Sequence, residues 1–165
     1  MLEAGLTEAE LAALEKRFGF EFADDHRALL AEVLPTGRGW PDWRAGDSET
    51  LRRQVDWPVE GVLYDVVEND FWYERWGERP SRDEEAVEQA KAHLATVPRM
   101  IPIFVHRCLP SGRGTFGYPV LSMHQTDIIH YGFDLLDYVS TEFYPGDPDR
   151  PTRHPMPIPF WDDLL

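Results

Sequence analysis

A change of hydrophobic period near Pro98 constrains this chain more than any other feature. Before it, apolar residues recur at helical spacing. After it, they gather in short extended runs separated by turn residues. Leu6 to Leu11 combines a capping box (Thr7, Glu10) with a hydrophobic staple (Leu6, Leu11). Leu11, Leu14 and Phe18 then line one helix face, and Gly19 suits the left-handed residue that ends it. Phe20 to Phe22 reads as an extended link. A second helix is expected from Asp24, whose carboxylate would cap it, with Leu29, Leu30, Val33 and Leu34 as its stripe and Pro35 as its stop. Residues 36–57 read as a loop carrying Gly37, Gly39, Pro41 and Gly46, with Trp40, Trp43 and Trp57 embedded and a short helical turn at Arg52 and Arg53. Val59, Val62, Leu63, Val66 and Val67 fit a helical stripe, although their β-branching also suits a strand. Ser81 to Glu84 forms a second capping box, followed by Ala86, Val87, Ala90 and Leu94 on one face.

Beyond Pro98 the expected strands are 101–105, 119–123 and 128–131. A Gly-rich connection over 109–118 and a tight turn at Gln125-Thr126-Asp127 would join them, with Gly132 ending the sheet. A last helix is expected over 133–143, with Leu136, Val139 and Phe143 inward. Helices, an antiparallel meander and a final helix make an α+β fold, an antiparallel sheet flanked by helices. The domain is read as residues 1–143. A proline-rich C-terminal tail, 144–165, carries prolines at 145, 148, 151, 155, 157 and 159 and suits extended or polyproline II backbone. Phe160-Trp161 and Leu164-Leu165 are the residues able to pin it.

Thirty acidic side chains face sixteen Lys and Arg, for a net charge of −14. Such a surface repels nucleic acid and anionic membrane and attracts basic partners. Ten acidic and four basic residues lie between Glu60 and His93, so −6 of the total is concentrated there. The acidic residues Asp65, Glu68, Asp70 and Glu74 run beside Trp72, Tyr73 and Trp76. Aromatic anchors within an acidic rim are the chemistry of a protein interface. With Trp40 and Trp43 from the long loop, these are the candidate partner contacts. Asp127 and Gly132 are assigned structural turn roles. One cysteine excludes an internal disulfide framework. The acidic N-terminal stretch lacks the pattern of a signal peptide, and no apolar run is long enough for a membrane span, so the expected location is cytoplasmic.

Chemistry-bearing residues are sparse. His106, Cys108, His124, Asp127 and His130 offer a set for a small ligand or a metal, but turn geometry need not make them converge. A Cys108–His106 nucleophile lacks an orienting third group. Gly112-x-Gly114 lacks the lysine of a phosphate loop. No catalytic residue, metal or cofactor is assigned.

Three stretches carry a resemblance: Leu6 to Phe22, Trp57 to Trp76, and the segments Ile101 to Arg107, Pro119 to Ile129, Tyr131-Gly132, Leu135 to Tyr138 and Glu142-Phe143. Together, over residues 5–143, the chain resembles the SMI1/KNR4 family of the SUKH superfamily. The resemblance implies an antiparallel sheet with packed helices and a non-enzymatic, protein-binding role. Many bacterial members are immunity proteins that neutralise toxins, often nucleases, and fungal members act as regulatory interaction hubs. It therefore implies a basic toxin domain as partner, occluded by the acidic face, with a regulatory interaction module as the alternative. The Trp-rich loop and the proline tail depart from the family pattern.

Overall fold

A computed structural model describes residues 1–45, 48–144 and 154–165. The chain has a mixed α+β fold with two antiparallel sheets flanked by helices. Strand β1 (Leu2–Ala4) is followed by helices α1 (Glu8–Phe18) and α2 (Asp24–Glu32), then β2 (Val33–Pro35), which pairs with β1. Helix α3 spans Glu49–Glu68 and α4 spans Asp83–Leu94. The second sheet is a meander of β3 (Met100–Phe104), β4 (Arg107–Pro110), β5 (Val120–His124) and β6 (Asp127–Gly132), in that order across the sheet. Helix α5 spans Leu135–Phe143, and a single 3-10 turn, Trp161–Leu164, lies at the C-terminal end.

The α1 capping box forms as its sequence dictates. Thr7 Oγ accepts from the Glu10 N–H, and the Glu10 carboxylate accepts from the Thr7 N–H at 2.7 Å. That bond, with help from Arg44, holds the Glu10 pKa down to about 2. Gly19 ends the helix at φ 68°.

Other boundaries differ from the sequence reading, each for a tertiary reason. The second helix stops at Glu32, because Val33–Pro35 leaves it to pair with β1. Strands of three residues leave no readable period. Asp24 does not cap its helix. Its carboxylate accepts from the Gly114 N–H instead, and Asp25 accepts from Gly117, so α2 holds the Gly-rich loop. Helix α3 begins at Glu49, well inside the expected loop, with Ser48 Oγ accepting from the Leu51 N–H at 3.1 Å. Pro58 lies within it, which costs about 3 kcal/mol. Leu51, Val55, Val62 and Val66 are all buried, and at about 1.5–3 kcal/mol each their burial outweighs that cost.

The Ser81–Glu84 capping box does not form; Arg82 occupies the cap position without a side-chain bond. Arg79 joins the two helices instead. It donates to the Val66 carbonyl near the end of α3 and to the Asp83 carboxylate at the start of α4. The sheet has an unexpected strand, β4, which runs into the start of the expected loop and has Cys108 and Leu109 buried toward opposite faces. In α5, Leu135 and Tyr138 face inward and Leu136 is 75% exposed, so the inward stripe is displaced from the expected one.

Both faces of the meander are covered. Cys108, Leu121, Met123 and Ile128 pack beneath α3 and α4, while Ile103, Leu109 and Val120 pack against Leu135 and Tyr138 of α5. A third cluster joins α1, α2 and the start of α3 around Phe20, Phe22 and Trp43. The expected extended run over 145–153, with Pro145, Pro148 and Pro151, lies outside the described residues, as does Gly46 of the long loop. Among the described residues no helix is long and apolar enough to cross a membrane.

Two close approaches fix the packing. A Cβ on Gly61 would stand 2.9 Å from the Gln125 Cα, and one on Gly132 would stand 2.6 Å from the Tyr138 Cβ. Gly61→Ala should gain about 1 kcal/mol of helix propensity. It should nevertheless destabilise the protein by about 1–3 kcal/mol, because backbone rather than a flexible side chain must move; urea unfolding measures the sign.

His26 supplies a second test. It is buried against Phe22 and Trp43, its Nδ1 has no hydrogen-bond partner among the described residues, and burial lowers its pKa from 6.5 to about 3. The unfolded chain takes up a proton that the folded chain refuses, so this contribution to stability is lost as pH falls below 6.5. The wild-type chain should therefore lose about 2 kcal/mol more than His26→Leu between pH 7 and pH 5 in parallel denaturation curves.

Candidate interaction surface

The nine candidate partner contacts separate into different environments. Asp65 is not at the surface: it is 4% exposed. Its Oδ2 accepts from the Thr126 N–H at 2.9 Å and from Thr126 Oγ1 at 2.6 Å, and its Oδ1 accepts from Asn69 at 2.6 Å. Burial raises its pKa, but the bonds from Thr126 and Asn69 outweigh this and hold it below the ordinary value. Asp65 thus secures the β5–β6 turn, the role expected of Asp127. Asp127 is exposed and pairs across the turn with His124. Gly132 ends β6 beneath α5, where its missing side chain admits Tyr138.

Trp43 is also internal, at 3% exposure, edge-on to Phe22 and Phe20. Trp40 is half-buried and packs on Phe104 and Phe143. Trp72, Tyr73 and Trp76 are half-buried too: Trp72 lies edge-on to Trp76 and donates its Nε1–H to the Gly77 carbonyl at 2.8 Å, while Tyr73 and Trp76 meet the chain's own C-terminal segment. Trp76 stacks with Phe160 at 5.5 Å and with His93 at 5.4 Å between ring centres. Tyr73 donates its hydroxyl to Asp163, and Arg75 pairs with the same carboxylate at 3.0 Å. Ile158, Phe160 and Trp161 are buried, and Trp161 Nε1 donates to the Pro98 carbonyl at 2.7 Å. The aromatic run is largely occupied from within.

Three of the nine, Glu68, Asp70 and Glu74, remain exposed. With Glu60 and Glu78 they make five exposed carboxylates that have no ion-pair partner among the described residues. Beside them, α3 presents Trp57 (48% exposed), Tyr64 (52%) and Val67 (40%). These side chains line a groove of about 640 Å³ with Glu60, Gly61, Glu68, Gln125 and, from α4, Val87 and Lys91. A second hollow of about 540 Å³ adjoins it and shares Glu60 and Lys91. In the sequence Trp57 stands where the expected loop meets the helical stripe, and nothing singles out Tyr64. Had α3 been read as one helix, Trp57, Gly61, Tyr64 and Glu68 would fall at i, i+4, i+7 and i+11, opposite the buried Val55, Val62 and Val66.

The His/Cys/Asp set does not assemble. Cys108 is buried in the core, and burial pushes its thiol up to about 12, away from a nucleophilic thiolate. His106 is half-buried beside Arg107, its pKa lowered by burial and by that guanidinium. His124 lies against the edge of Trp57, while His130 stands 3.7 Å from Asp162. Among the described residues no group of three or more His, Cys, Asp or Glu side chains is placed to hold a metal ion. Compared with models of protein families, with curated proteins and with solved structures, the chain finds no match.

Two tryptophans separate core from surface. Trp161→Ala should cost about 3–5 kcal/mol, the range for a fully buried large side chain. Trp57→Ala should cost less than about 1 kcal/mol, since half of its surface already meets water. Thermal unfolding of both variants checks the contrast.

Proposed function

We propose that the chain is a non-enzymatic protein-binding domain of SMI1/KNR4 type, an immunity protein that neutralises a cognate toxin by covering a basic active-site surface. The observation that carries this reading is the row of exposed carboxylates on and after α3 that have no ion pair among the described residues: Glu60, Glu68, Asp70, Glu74 and Glu78. Some acidic residues elsewhere find cations at short range: Glu15 faces Arg113, Glu10 faces Arg44, and Asp56 faces Arg99 at 2.6 Å, whereas Glu21, Glu32, Asp42 and Asp127 are exposed and scattered singly along the chain. Leaving five carboxylates unpaired on one stretch creates a field that steers a basic partner. The resemblance over residues 5–143 supplies the class of partner, a toxin whose substrate groove is cationic.

Inhibition then needs no chemistry. Occupation of the groove excludes substrate, and buried apolar contact sets the lifetime of the complex. Co-expression with a toxin encoded beside this chain should restore growth; continued growth arrest overturns the reading. In kinetic binding assays, raising salt from low to high should slow association by about tenfold or more while changing dissociation far less. Association indifferent to salt rejects electrostatic steering.

A further inference from the structure

The groove along α3 has properties that the fold itself does not require. Trp, Tyr and Val are middling or poor helix formers, and their advantage normally comes from packing. Trp57, Tyr64 and Val67 are each 40–52% exposed and collect only part of that advantage. Together they form an apolar strip rimmed by charge, the arrangement that marks a protein contact rather than a solvated face. From Trp57 to Glu68 the strip runs about 16 Å, or three helical turns.

Its rim carries a sign. Glu60 and Glu68 lie four residues to either side of Tyr64, both exposed and both without an ion pair among the described residues. Lys91, across the groove on α4, is engaged by Glu88 at 3.1 Å. The groove therefore presents apolar contact with negative charge flanking it. Its walls are the helices α3 and α4, whose backbone groups are already paired internally, so no free sheet edge is available to recruit a strand. Two neighbouring helices with a furrow between them accept a third by interdigitating side-chain ridges. Twofold pairing of the strip with a second copy would set Glu60 and Glu68 against like charges.

We propose that the α3–α4 groove receives an amphipathic helix of the partner protein. That helix places apolar side chains at i, i+3 or i+4, and i+7 on Trp57, Tyr64 and Val67, and lysine or arginine on its flanks toward Glu60 and Glu68. The inference rests on the protein-binding reading and names its site and the chemistry of its ligand.

The test titrates the full chain with a synthetic 18-residue helical peptide carrying one leucine stripe and lysine flanks. A scrambled peptide of identical composition keeps the charge and loses the stripe. In amide and indole NMR spectra, saturable shifts are expected at Trp57, Tyr64, Val67 and Gln125. The scrambled peptide, and the variant combining Tyr64→Ala with Glu60→Lys and Glu68→Lys, should each bind roughly tenfold more weakly. All three substituted residues are exposed, so circular dichroism should report an unchanged fold. Equal binding of the scrambled peptide, shifts confined to another face, no saturable binding at millimolar peptide, or a dimer of the free chain formed through α3 would each overturn the proposal. The growth assay keeps the two ideas apart. If the triple variant rescues growth as well as the wild-type chain, the groove is rejected and neutralisation stands. If the wild-type chain itself fails, the protein-binding reading falls.

Discussion

One contact organises the molecule: the seating of α3 on the β5–β6 turn. Gly61 lets the helix backbone approach Gln125, and Asp65, one helical turn later, catches Thr126 through two bonds. Gln125 itself is held at φ 59°. The Asp65 carbonyl also accepts from the Asn69 and Phe71 N–H groups, so the same residue ends α3 and sends the chain into the aromatic segment 71–76. That segment receives Phe160 and Asp163. A helix, a hairpin turn and the C-terminal segment therefore depend on two positions four residues apart. A buried carboxylate is costly unless it is fully bonded, and Asp65 is bonded through both oxygens.

The distribution of tryptophan follows from this frame. A run such as Phe71 to Trp76 has interface composition, yet its rings stack mainly on one another, on His93 and on Phe160. Trp43 closes the cluster under α1 and α2, and Trp161 closes the one under α3 and α4. Composition identifies the residue types that make contacts, but not whether the contact is with another chain or with the same one. Of the six tryptophans, Trp57 on the outer strip of α3 is the one that stands exposed.

Charge sorts in a similar way. Several acidic residues near the N-terminus are matched: Arg27 lies against Glu8 and Glu15, and Arg44 reaches Glu3 and Glu10. The more exposed of these, Arg44 with Glu3 and Glu10, contribute little to stability. The excess of negative charge is densest where carboxylates outnumber the cations within reach, as from Glu60 to Glu78.

Much of the fold was legible wherever a local signal coincides with tertiary demand. The Thr7–Glu10 box, Gly19, the stripe on α4, the runs that become β3, β5 and β6, and Gly132 as the end of the sheet depend on interactions within a few residues or on an unmistakable period. The failures share one cause. β1 and β2 are too short to show a period. β4 is a strand because neighbours on both sides supply hydrogen bonds. Val105 sits at φ 50°, where a β-branched residue is strained, in a turn whose N–H is taken by the Gly39 carbonyl. α3 runs through Pro58 because burial of its inner face outweighs a broken ladder. The sequence by itself determined the succession of helices, meander and helix, and where the acidic surplus lies along the chain. Only the tertiary structure decided that Asp65 is a buried fastener and that Trp57 and Tyr64 face water, because burial and pairing depend on residues that are distant in sequence and adjacent in space.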